Sequence, residues 1–131
     1  VVLNWMMELA ILLADRDVVE ALAPRLAGLD KYVPPAGANI GRNLGGAKAL
    51  LGNRDEARAH YLAALEASTR IRHRPEIALT HLELAELLLE HYPDERTEAL
   101  EHLDTAIAEL RDMKMQPALE RALSHRDILK A

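Results

Sequence analysis

Six histidines are the first residues of this chain whose type invites chemistry. A helical metal site needs ligands that share one face, as when two histidines four residues apart flank a glutamate. Here His81 and His91 are ten apart, and no His-Glu-x-x-His occurs. His81 falls on an apolar face and reads as a core histidine with a satisfied ring. Glu83, Glu86 and Glu90 recur at three and four residues. Paired carboxylates can exchange protons, but these lie opposite a leucine face and read as a solvated surface. Ser68 and Ser124 have no base at a readable spacing, so no nucleophilic triad is expected. Gly41, Gly45 and Gly46 lie inside a helical pattern rather than after a strand, which excludes a phosphate-cradling loop. Arg70, Arg72, His73 and Arg74 form the one basic cluster. Cations near a helix C-terminus complement its dipole, and that reading is preferred to binding of phosphate or an acidic peptide. The chain therefore reads as noncatalytic, with no metal and no cofactor.

Composition narrows the class further. The 131 residues suit one domain. Half of them are apolar, but aromatics are 3% and Phe is absent, so the core must be aliphatic. Leu and Ala favour helix, and the scarcity of strand formers argues against a sandwich or barrel. A net charge of −5 opposes nonspecific nucleic-acid binding. Cys is absent, so there is no disulfide framework and no thiolate chemistry, which fits a reducing, cytoplasmic setting. No apolar run is long enough to span a membrane. The chain starts at Val1, so an excised piece of a longer protein is expected, with no visible signal peptide.

The elements that must carry these residues are helices throughout. Leu3, Met6, Met7, Ala10, Leu13 and Ala14 recur at helical spacing and predict one inward face. Val18, Val19, Leu22, Leu26 and Leu29 continue it toward Gly28, with Pro24 arguing against an unbroken helix. The main loop is Tyr32 to Gly41. Asp55 and Asp94 are the expected caps of two later helices. The pairs fall at about 2–29, 38–71 and 75–112, with a capping helix at about 118–130. The fold class is all-α, an α-solenoid of about seven helices within a single domain over 1–131.

The central pair carries a motif. Leu44 and Gly45 stand on its first helix, Gly52 at its turn, and Ala57, Tyr61 and Ala64 on its second helix. This pattern resembles the tetratricopeptide repeat, with Gly41 at the family's Trp position and Lys48 at its first-helix Tyr position. The next pair matches with Leu84 and Ala85, then Ala99, Leu103 and Ala106. From Ala57 to Ala99 the register shifts by 42 residues, against about 34 in the family. The first pair is degenerate, with Leu9, Ala10 and Leu13, then Leu22, Leu26 and Leu29. The longer period, Leu-Ala-Pro at 22–24 and the closing Met113 to Pro117 resemble the C-terminal helical regions of large bacterial signalling proteins. Those carry an ATPase module with a nucleotide cyclase or a LuxR-type DNA-binding domain.

The resemblance implies a noncatalytic protein-interaction module of a larger regulator. Homo-oligomerisation and small-ligand sensing are its rivals. It also implies a concave groove lined by Asn4, Met7, Ile11, Asn39, Arg42, Leu79, Leu82, Glu86 and Leu89. Only Arg42 and the two asparagines suit a peptide carboxylate. The leucines suit a partner's amphipathic helix or a second copy of the chain, unless the superhelix buries them itself.

Overall fold

The computed structural model describes residues 2–27 and 40–130. Gly28, Leu29, Asn39 and nearly all of the Pro-Gly loop lie outside the described residues. Seven α-helices occur among those described: α1 (Val2–Leu12), α2 (Arg16–Leu26), α3 (Ile40–Leu50), α4 (Arg54–Arg70), α5 (Arg74–His91), α6 (Arg96–Asp112) and α7 (Gln116–Lys130). A 3-10 turn, Pro93–Glu95, precedes α6, and no strand occurs among the described residues. The protein is all-α. No helix among the described residues is long and apolar enough to cross a membrane.

Three-residue turns at 13–15, 51–53, 71–73 and 113–115 separate successive helices. Each places its middle residue in the left-handed region: Ala14 (φ 52°), Gly52 (φ 85°), Arg72 (φ 57°) and Lys114 (φ 57°). At three of them the hydrogen bonds explain why. Ala14, Gly52 and Lys114 donate to the carbonyl three residues back, and Asp15, Asn53 and Met115 to the carbonyl five residues back, at 2.8–3.2 Å. That pattern satisfies the last carbonyls of a helix while reversing the chain. Only Gly52 meets the backbone demand without a Cβ penalty.

Several expected boundaries move. Pro24 does not break α2, because only two helical residues follow it before the helix ends at Leu26, so the cost is the one bond its missing amide would make to the Glu20 carbonyl. Asp15 caps α2, accepting from the Val18 amide at 3.3 Å. Asn53 rather than Asp55 flanks α4, which starts two residues earlier than that cap implied, at Arg54. Asp94 sits in the 3-10 turn and not at the start of α6.

The chain divides into two compact units, Val1–Ile71 and Arg72–Ala131. In the first, Met7 and Ala10 of α1, Val19, Leu22, Ala23 and Leu26 of α2, and Ile40, Leu44 and Ala47 of α3 form the core. In the second, Ala78, Leu82 and Ala85 of α5 meet Leu103, Ala106, Ile107 and Leu110 of α6 and Leu119 and Ala122 of α7. The three alanines on α5 and α6 let those helices approach closely. The fully buried Leu82, Leu103 and Leu110 each contribute about 1.5–3 kcal/mol by leaving water.

Candidate functional site

The expected groove residues of the first unit are structural. Asn43 Nδ2 donates to Asn4 Oδ1 at 3.0 Å and to the Asn4 carbonyl at 3.4 Å, with both residues buried. The Arg42 guanidinium, also buried, reaches Glu8 at 3.4 Å. These bonds join α3 to α1 and choose which side of α1 turns inward. Met7 lies in the core, and Ile11 packs half-buried against it. In the second unit Leu82 is core, Leu79 packs against that core, and Leu89 is half-buried. Glu86 is not solvated as its spacing suggested. It accepts from Arg121 Nε at 2.8 Å and pairs with His125 Nε2 at 2.7 Å, which ties α7 to α5. No described member of the anticipated apolar stripe stands open, because leucine periodicity is the same for a buried face and a groove.

The motif residues are also interior. Leu44, Gly45, Ala57, Tyr61 and Ala64 are buried, as are Leu84, Ala85, Ala99, Leu103 and Ala106, while Gly52 sits exposed at its turn. Gly45 lies flat against the Tyr61 ring. A Cβ built there would stand 2.6 Å from Tyr61 Cδ1. The small residue on α3 and the aromatic on α4 therefore need one another.

His81 has a partner that spacing did not reveal. Its Nδ1 lies 2.8 Å from His102 Nδ1, so one ring donates and the other accepts. Burial, then the neighbouring His102, push the His81 pKa down to about 4, with Glu109 opposing. His102 Nε2 also lies 3.6 Å from Glu98. Among the described residues no group of three or more His, Cys, Asp or Glu is placed to hold a metal ion.

The basic cluster divides between two helices. Arg70 ends α4 and pairs with Glu66 at 3.0 Å. Arg74 instead begins α5, where no C-terminal dipole awaits it, and binds Glu109 at 2.9 Å and Asp112 at 2.7 Å. Those two carboxylates raise its pKa further above the usual arginine value. In the first unit a cleft of about 470 Å³ is lined in part by Pro24, Lys48, Glu56 and His60. Its one Lys is engaged with Glu56 at 3.0 Å.

The feature that sequence reasoning missed is the outer side of α1. Val2, Trp5, Met6, Leu9 and Leu12, with Leu13 just beyond, are 47–76% exposed. At about 100° per residue these six cover an arc of about 120° centred opposite Met7. Leu3, Met7 and Ala10 face the core as expected, with Ile11 beside them, whereas Met6, Leu13 and Ala14, also expected inward, are exposed. The reason is composition. Val2–Leu12 carries only two polar residues, Asn4 and Glu8, so α1 is apolar nearly all round and periodicity cannot select a side. That very lack of polarity was the available signal.

No family model, curated protein or solved structure matches the chain.

Proposed function

We propose that the chain is a noncatalytic protein–protein interaction module of helical-repeat type, with a tetratricopeptide-like register, serving as the regulatory part of a larger cytoplasmic signalling protein. The observation that carries the reading is the outward face of α1. Six contiguous large apolar side chains, with the only Trp among them, are left in solvent on a helix whose other side is core. A patch of that kind marks an interaction surface rather than ordinary surface scatter. Trp is also a residue that concentrates binding energy at interfaces. The buried Gly45–Tyr61 contact supports the repeat register.

The test is Leu9→Glu. An exposed face kept for binding tolerates the charge, so unfolding free energy should move by no more than about 0.5 kcal/mol, while association through α1 is lost. Destabilisation by several kcal/mol would instead make the face part of the fold and remove the basis of the reading.

A further inference from the structure

We infer that the partner of the α1 face is a second copy of this chain, bound through an antiparallel α1–α1 pairing. The inference rests on the interaction reading above and names its occupant. Three observations lead to it.

The first is size. Six large apolar side chains exposed by half to three-quarters present on the order of 600 Å². Two copies face to face would bury about 1,200 Å², the lower bound of standard specific interfaces. The second is charge. No ionisable side chain stands within the stripe, and Glu8, at its edge, is already paired with Arg42. Bringing two identical faces together therefore opposes no like charges, which is the usual obstacle to self-association.

The third is geometry. A two-fold axis across the middle of α1 sets Val2 against Leu13 and Met6 against Leu9, with Trp5 near the centre. A contact in which the same patch meets itself is closed and stops at the dimer. The antiparallel arrangement also sets the positive end of each helix dipole beside the negative end of the other.

The experiment is sedimentation of the 131-residue chain from micromolar concentration up to on the order of 100 μM, with Leu9→Glu and Leu12→Lys beside it. The expected result is a dimer for the unaltered chain. Each variant should be monomeric, with association weakened at least a hundredfold and the helical spectrum unchanged. Two variants guard against either one failing to fold. A monomer throughout the range overturns the inference, and so does a dimer that both variants retain. An amphipathic Leu/Lys helical peptide then separates this failure from failure of the underlying reading. A monomer whose Trp5 emission shifts when the peptide is added keeps the interaction surface and loses only the second copy. A monomer indifferent to the peptide loses both.

Discussion

Replacing Gly45 with leucine sets two opposed effects against one another, and the structure decides between them. Leucine is the better helix former by about 0.8 kcal/mol in a helix interior. Against this, the new Cβ alone would stand 2.6 Å from Cδ1 and 2.7 Å from Cε1 of Tyr61. The ring cannot step aside cheaply, because Tyr61 is itself buried. Overpacking of this kind costs about 1–3 kcal/mol, and the rest of the leucine puts this site near the upper end. The net loss is then about 2 kcal/mol, or roughly 10 °C in the melting transition of a unit this small. Gly46 provides the control. A Cβ there meets Ile11 Cδ1 at 3.2 Å, the end of a flexible side chain that can turn away. Gly46→Ala should therefore stabilise by about 0.5–1 kcal/mol through helix propensity. Adding Tyr61→Ala to Gly45→Leu should cost much less than the two separate losses combined, since each relieves the other. The assay is thermal and urea unfolding followed by circular dichroism. Equal effects at Gly45 and Gly46, or strict additivity with Tyr61→Ala, would refute the contact.

The remaining predictions concern acid, a turn and the split basic cluster. Because the His81 pKa is lowered from 6.5 to about 4, the folded second unit binds fewer protons than the unfolded chain between those values. Its stability should fall as pH drops from about 6.5 to about 4. Urea titrations across that window should show the fall, with a weaker slope in His81→Gln. Lys114→Gly should raise stability by about 1 kcal/mol by removing the Cβ penalty at φ 57°, whereas Lys114→Val should lower it, both read by thermal melts. Arg72→Glu should leave the melting temperature unchanged. Arg74→Glu should lower it, because the new carboxylate would face Glu109 and Asp112 in place of a cation.

Some of this architecture was legible because helical spacing is redundant. Leu82, Ala85, Leu103 and Ala106 each repeat a signal that their neighbours also carry, so the α5 and α6 faces survive small errors of boundary. The turns were less so. Left-handed backbone is announced by glycine at Gly52, but at Ala14 and Lys114 the hydrogen bonds of the preceding helix impose it on residues that give no warning, and Arg72 gives none either. The His81–His102 bond and the Glu86 cluster were hidden for another reason. Both join residues more than twenty positions apart, and their meeting depends on how α5 packs on α6 and α7. The outward side of α1 was missed because a helix apolar on both sides has no preferred direction until Asn43 takes hold of Asn4.

The account stands most directly on whether the outer side of α1 becomes covered, and Trp5 reports that without labelling, since it is the only tryptophan in the chain. Acrylamide quenching of its emission should be followed while the chain is concentrated. The account predicts that quenching weakens and the emission maximum moves to shorter wavelength as concentration rises, with neither change in Leu9→Glu. A Trp5 that stays equally open to quencher at every concentration, and in the presence of an amphipathic helical peptide, would contradict it.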